Sequence, residues 1–245
     1  MSREVSSISR FGRDEPFDLQ ISRGQVAYHS SLFKYGYNPL IINVNETIWD
    51  GGGIYPYIGT AAPLAIASST TTADAGVTGT VFGLDADYNE IQYDFTLGAG
   101  GTATTTNSFK RVFRAFITGS TAPTGNITFK IGATSYAQIT AGENQTLMAV
   151  YTVPAGKTFY LAQGTATHGT DTSGAFMTVR FMIRSFGGVL RTATKVDIIG
   201  SELIFPFKYP LKLEEKTDIE VRAICSKNQN NSIAATFEGI LIDNR

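Results

Sequence analysis

Few side chains in this sequence could take part in catalysis. The 245 residues include two histidines, His29 and His168, and a single cysteine, Cys225. Zinc sites and nucleophilic triads draw on several His, Cys and acidic residues at fixed spacings, and the sequence contains no HExxH, CxxC, phosphate-loop or nucleophile-elbow motif. The residue types therefore predict no catalytic residue, no bound metal and no cofactor.

One histidine and one group of acidic residues remain as candidates for chemistry. His168 lies in a Gly- and Thr-rich segment that reads as a loop, and a general base would also need a partner within hydrogen-bond reach. A glycosidase needs only two carboxylates, and the candidates are Asp85, Asp87, Glu90 and Asp94. Turn chemistry alone accounts for acids here, and their spacing is not that of an EF-hand calcium loop. We interpret His168 as an exposed loop histidine and the acids as turn residues.

The segment from Glu46 to Tyr57 gathers the only tryptophan, three consecutive glycines and two tyrosines. Glycine runs carry a high conformational-entropy cost, so we expect an unusual backbone path at this point. Trp49, Tyr55 and Tyr57 could form a platform for a sugar ring or anchors at a protein interface, because both uses need apolar area with a polar group. The position between a weakly patterned N-terminus and a long run of strands favours the interface.

Charge and composition restrict the partners that we expect. The 20 basic and 21 acidic residues give a net charge of -1 and are spread along the chain, so no basic field would hold nucleic acid. No apolar run approaches the roughly 20 residues that span a bilayer, and the N-terminus lacks the apolar region of a signal peptide. Only 17% of residues are charged, which suits a protein packed against neighbours or working outside the cell. We predict no nucleic-acid partner, no membrane partner and synthesis in the cytoplasm.

Alternating apolar residues predict an antiparallel all-β protein. Val179, Phe181 and Ile183 share one parity, which places them on one face of a strand. The same pattern recurs at 127–131 and at 219–225, and in the second of these Glu220 and Arg222 would point outward into solvent.

Turn-forming clusters of Gly, Pro, Asn and Ser separate these segments at the spacing of a sandwich or barrel. No window of about eleven residues keeps a helical period with caps. The length allows one large all-β domain or two small ones. We predict an antiparallel β-sandwich of the jelly-roll type over residues 51–245, with very little helix.

Residues 1–50 are predicted to form an extended N-terminal arm that docks on a neighbour. They show little sustained alternation and interleave aromatic with turn residues, as in the run from Tyr35 to Pro39. Such an arm could lie along a neighbouring subunit or pair with an exposed sheet edge. The expected interface and anchor residues are Phe11, Arg13, Tyr35, Tyr37, Trp49, Tyr55 and Tyr57.

Several motifs carry a family resemblance. The clearest runs from Glu46 to Pro56, and others follow in order at 68–69, 74–85, 108–112, 141–146, 151–158 and 214–219. Together they resemble a family of virion structural proteins from tailed bacteriophages, especially marine and cyanobacterial ones. A Gly-Arg-Asn-type run expected before the tryptophan is replaced by the residues around Tyr35, and residues 1–30 match nothing in that family.

The resemblance implies a component of the virion, assembled on the particle after synthesis in the host cytoplasm. We expect a non-enzymatic capsid decoration or cement subunit that binds the major capsid protein or other virion proteins and forms a homo-oligomer, with a trimer favoured by lattice symmetry. The alternative is a tail or head-tail accessory module that recognises host surface glycans. A polysaccharide hydrolase would require two of the acids around Asp85 to face one cleft.

Overall fold

A computed structural model describes residues 15–170, 174–228 and 231–244. These residues form one short helix, α1 (Phe17–Ser22), and sixteen strands that pair in antiparallel fashion. The strands are β1 (His29–Ile41), β2 (Glu46–Thr47), β3 (Ala62–Ser68), β4 (Thr78–Leu84), β5 (Glu90–Thr96), β6 (Thr102–Phe109), β7 (Arg111–Ile117), β8 (Ile127–Ile131), β9 (Thr134–Ile139), β10 (Val150–Thr152), β11 (Lys157–Thr170), β12 (Met177–Arg184), β13 (Arg191–Ile198), β14 (Glu202–Leu213), β15 (Asp218–Cys225) and β16 (Asn231–Asp243). In this part of the chain, no helix has the length and apolar character needed to cross a membrane.

A jelly roll is built from the strands at the two ends of the described chain. One sheet has the order β1-β16-β11-β14, and the other has the order β10-β15-β12-β13, with β2 also paired to β15. When β2 and β10 are counted as one interrupted strand, the strand orders are 1-8-3-6 and 2-7-4-5, which is the jelly-roll arrangement. The inner faces share one apolar core that includes Ile41, Phe159 and Phe237. The predicted antiparallel jelly-roll sandwich is confirmed.

A second, smaller sandwich interrupts the jelly roll between β2 and β10. The chain leaves at Ile48, whose N–H donates to the carbonyl of Val221 at 2.8 Å, and it returns at Ala149, whose carbonyl accepts from the Val221 N–H at 3.1 Å. The insert consists of the sheets β6-β3-β8-β9 and β5-β4-β7. Its own core includes Leu64 and Phe129, so the two sandwiches have separate cores.

The predicted boundary at residue 50 is wrong for the part of the N-terminal segment from residue 29 onward. β1 pairs with β16 from the His29–Ile242 pair to the Ile41–Asn231 pair, and Ile41 is fully buried. This stretch is therefore a strand of the jelly roll and no arm. The region 51–245 is also more than one sandwich, because it contains the whole insert.

The inward face of β1 explains why its sequence looks unpatterned. The inward positions of this strand include Lys34, Gly36 and Asn38, none of which is a large apolar residue. A Cβ at Gly36 would overlap the main chain of Ile48 and Ala149, because β1 passes closely over the point where the insert begins and ends. The alternation that marks a strand is thus hidden by a close backbone approach.

Candidate functional site

The glycine and tryptophan motif forms the connection from the jelly roll to the insert. A Cβ at Gly51 would overlap the indole of Trp49, and Gly52 and Gly53 have φ angles of 69° and 67°, which favour glycine. The indole Nε1 donates to the carbonyl of Gly53 at 3.2 Å. Trp49 and Tyr55 are only 3% and 2% exposed. Both side chains are anchors inside the chain, and their burial leaves no open platform on which a sugar could stack.

A row of aromatic rings leads from this connection toward a pair of arginines. The ring centroids of Trp49 and Tyr55 are 5.3 Å apart, those of Tyr55 and Tyr57 are 5.0 Å apart, and both contacts are edge-to-face. The half-buried ring of Tyr57 lies 5.2 Å from the guanidinium carbon of Arg111 and 4.3 Å from that of Arg184. Cation–π contacts of this kind strengthen where water is excluded. The row therefore joins the apolar core of the insert to a charged cluster.

Asp218, the first residue of β15, is the centre of that cluster. Arg111 of the insert binds it in bidentate fashion, with Nε to Oδ1 at 2.7 Å and Nη2 to Oδ2 at 3.0 Å. Arg184 of the jelly roll donates to Oδ2 from Nε at 2.9 Å, and the Thr152 hydroxyl donates to Oδ1 at 2.6 Å. The side chains of Asp218 and Arg111 are 3% and 7% exposed. This buried ion pair ties the two sandwiches together.

The predicted exposure of Glu220, two residues further along β15, is wrong. Glu220 was predicted to face solvent, but it is fully buried, and Arg222 donates from Nε to its carboxylate. Burial raises the pKa of Glu220, and the nearby guanidinium of Arg222 opposes that shift. The alternation of side chains along the strand is as predicted. The polar face is nevertheless buried, because other parts of the fold pack against it, and the local sequence does not show these contacts.

The free edge of β1 is the second candidate surface. Within the described residues, β1 pairs with β16 on one side, and on the other side the N–H of Tyr37 donates to the carbonyl of Leu147 at 3.3 Å. Phe33 and Tyr35 are 62% and 38% exposed, while Tyr37 is half-buried. A groove of about 260 Å³ runs beside the edge, and its aromatic walls are Phe33, Tyr35, Phe82, Phe113 and Tyr151.

Lys34 is buried at the base of this groove. Its ammonium group donates to the main-chain carbonyl of Phe113 and lies 5.8 Å from the centroid of the Phe113 ring. Burial, followed by repulsion from Arg114, lowers the pKa of Lys34 to about 7. The residue thus couples β1 to the insert through a group whose charge changes near neutral pH.

His168 and the acids around Asp85, which were considered as catalytic residues, lie in different surroundings. His168 was predicted in an exposed loop but lies in β11 opposite Ile233, and its ring nitrogens are buried without a hydrogen-bond partner among the described residues. Asp85 accepts hydrogen bonds from the main-chain N–H groups of Asp87 and Asn89, each at 2.9 Å, as turn chemistry predicts.

Two other acids of this group have partners of their own. Glu90 pairs with Lys157 at 2.9 Å, and Asp94 accepts from the hydroxyl of Thr80 at 2.6 Å. Asp85, Glu90 and Asp94 therefore engage different partners, and no cluster of three metal-binding side chains occurs in the part of the chain that the structure describes. Phe11 and Arg13 lie outside the described residues.

Sequence reasoning did not identify the Asp218 cluster. Arg111 and Asp218 are 107 positions apart, so no local pattern links them. A signal was nevertheless present, because each residue falls in one of the ordered motifs of the family resemblance, at 108–112 and at 214–219. The first motif contains two basic residues and the second contains three acidic residues, and this difference in charge could have suggested an ion pair between them.

The described residues define an antiparallel jelly roll with a second sandwich inserted into one strand. Scans of the sequence against protein-family models and against curated proteins find no match. One similar solved structure is the infectious bursal disease virus VP2 subviral particle, with 11% sequence identity and a TM-score of 0.24. The matched region covers 88% of this chain and 72% of that chain. The STIV MCP is 13% identical with a TM-score of 0.24, covering 88% and 96%. Similarity at these scores is too low to carry a functional argument.

Proposed function

We propose that the protein is a non-enzymatic structural subunit of a virion, and more narrowly a decoration or cement subunit on the capsid of a tailed bacteriophage. The free edge of β1 carries this proposal. Phe33 and Tyr35 are exposed along a strand that is paired with a strand on one side only in the described chain. Exposed apolar edge strands are templates for pairing with another chain. The ordered motifs that begin at Glu46 support the virion class.

The surroundings of β1 extend the apolar surface beyond the strand. Helix α1 contacts β1, and its Phe17 and Leu19 are 52% and 46% exposed. Exposed apolar patches of this kind mark association surfaces when they are contiguous. A neighbouring capsid subunit that pairs with β1 would cover these side chains and gain both main-chain hydrogen bonds and apolar burial.

The rest of the fold suits a subunit that is under mechanical load. A cement subunit binds neighbouring capsomers, so its buried interface must be broken before the capsomers can separate. Stable protein interfaces bury roughly 1,200 to 2,000 Å². The buried Asp218 cluster and the buried Trp49 connection hold the two sandwiches together. Force applied to the insert is therefore passed to the jelly roll through packed side chains. We propose the major capsid protein as partner and a homotrimer as the assembled form.

The number of copies in each particle tests the proposal. Particles of the virus that encodes the chain would be purified and analysed by quantitative mass spectrometry, with the major capsid protein as the internal reference. On the order of hundreds of copies is expected for a subunit that follows the capsid lattice. A small multiple of three or six would assign the protein to the tail or portal vertex instead. Absence from purified particles would contradict any virion role.

A further inference from the structure

A cleft of about 330 Å³ opens where the two sandwiches meet, next to the Asp218 cluster. The insert and the segment leading to it supply one wall and the jelly roll supplies the other. The lining residues with charged side chains are Lys110, Arg111, Arg184, Lys216 and Asp218. Its volume falls in the lower part of the range of small-ligand sites, which is roughly 300 to 1,000 Å³.

The charges that line this cleft do not balance. Four cationic side chains face one carboxylate, that of Asp218, which leaves an excess of three positive charges. Arg111 and Arg184 share the carboxylate between them. Neither Lys110 nor Lys216 forms an ion pair with any described residue. The two lysines are therefore the cations that a ligand could neutralise.

Lys216 is held over aromatic rings rather than beside an acid. Its Nζ lies 5.2 Å from the ring centroid of Phe186 and 5.9 Å from that of Tyr88. The rings of Tyr88 and Phe186 also meet edge-to-face, with centroids 5.7 Å apart. The ammonium group therefore borders two aromatic rings on the solvent side of the cleft, where Phe186 is 64% exposed, and it can donate charge-assisted hydrogen bonds to a ligand that enters there.

Backbone strain is concentrated at the same place. Three described residues other than glycine have a positive φ, namely Tyr28, Tyr88 and Lys216, with angles of 67°, 70° and 60°. Two of the three, Tyr88 and Lys216, line the cleft. Side chains with a Cβ adopt this region at a cost, and such residues cluster at sites that bind ligands.

Lys110 lies at the rim of the cleft, beside Arg111. Its ammonium group donates to the main-chain carbonyl of Gly59 at the rim. Burial, followed by repulsion from Arg111, lowers the pKa of Lys110 from its ordinary value. A bound anion would reverse this effect, whereas a neutral ligand would leave it in place.

We propose that this cleft binds a compact oxyanion group, with Lys110 and Lys216 as its ligands and the rings of Tyr88 and Phe186 as its apolar wall. The group is a carboxylate, sulfate or phosphate, because ammonium groups offer only donors and an oxyanion offers only acceptors. The binding site spans the two sandwiches, so an occupied cleft would stabilise their junction. It is separate from the β1 edge and does not depend on the virion assignment.

Isothermal titration calorimetry of the full chain tests this inference. Inorganic phosphate and sulfate would be titrated at constant ionic strength, with chloride as the reference anion. Binding of at least one oxyanion is expected, and Lys216→Met and Lys110→Met should each weaken it by about tenfold or more. Lys208→Met is the matched control, because the Lys208 Nζ lies 5.6 Å above the ring of Tyr209 outside the cleft. Affinity in the control should equal that of the wild type.

Two further arms distinguish the source of the oxyanion and guard against misfolding. A short oligoglutamate peptide that binds more tightly than phosphate assigns the group to a partner protein's carboxylate, and the reverse order assigns it to a free ion. Lys216→Arg, which keeps the charge, should restore most of the affinity if Lys216→Met acts through charge. The inference is overturned if none of these probes binds, or if Lys216→Met binds the tightest of them with the affinity of the wild type.

Discussion

At the junction between the sandwiches, Trp49 and Tyr55 are 3% and 2% exposed, whereas Phe33 and Tyr35 on β1 are 62% and 38% exposed. Both groups are aromatic, and both lie near a buried cation. The junction side chains find their partners within the chain, so we expect them to determine stability. The β1 side chains have a free strand edge beside them, so we expect them to determine association. Variants can separate these two roles.

Removing the carboxylate at the centre of the junction should have the largest effect. Asp218→Asn leaves the guanidinium groups of Arg111 and Arg184 without their buried counter-charge, and breaking a buried pair in this way costs about 3 to 5 kcal/mol. Chemical denaturation would measure the loss, which we place near the upper end because two arginines are affected. Glu214→Gln is the control, because Glu214 pairs with Lys212 at the surface. Equal midpoints for the two variants would show that the cluster contributes little.

Trp49→Ala should destabilise the protein by about 3 to 5 kcal/mol, because it opens a cavity in the core of the insert. The same denaturation assay applies. Phe33→Ala removes an aromatic ring of comparable character from an exposed site, and surface changes of this kind are usually within about 0.5 kcal/mol of neutral. A Trp49→Ala protein that unfolds at the wild-type midpoint would mean that the motif is no anchor.

Lys34 links the two regions, and its effect should depend on pH. Its pKa in the folded protein is about 7 against an ordinary value of 10.5, so the folded state binds fewer protons than the unfolded state between these values. The cost of burying the charged amine should therefore fall as the pH rises. The free energy of unfolding, relative to that of Lys34→Met, should increase by roughly 3 kcal/mol between about pH 7 and about pH 10. Denaturation of both proteins across this range tests the sign. Parallel pH profiles would contradict the assignment.

Much of the jelly roll could be predicted from sequence because several strands alternate strictly. Val179 and Phe181 on β12 follow the expected parity, and both contribute to the core. β1 could not be recognised, because Lys34, Gly36 and Asn38 occupy its inward face. The local pattern shows which face a strand buries only when that face is packed by apolar side chains.

The insertion of a second sandwich could not be predicted from local sequence patterns, for a different reason. β2 and β10 complete one strand position, yet the chain between Ile48 and Ala149 forms a whole sandwich before it returns. β2 and β10 occupy one strand position because both pair with β15 around Val221. The residues of β2 or of β10 alone do not specify that position. The aromatic motif was identified correctly as unusual, but its sequence could not show that Trp49 is buried within its own chain.

The smallest change in stability is expected for variants of the exposed β1 edge, which we propose as an association surface. Phe33→Ser combined with Tyr35→Ser would be compared with a control, Ile199→Ser combined with Ile204→Ser, whose side chains are 84% and 56% exposed elsewhere on the jelly roll. Each protein would be added to purified particles that lack it, and bound copies would be counted. We predict normal unfolding midpoints for both variants, wild-type occupancy for the control and strongly reduced occupancy for the β1 variant. Full occupancy by a folded β1 variant would show that the β1 edge is not the association surface.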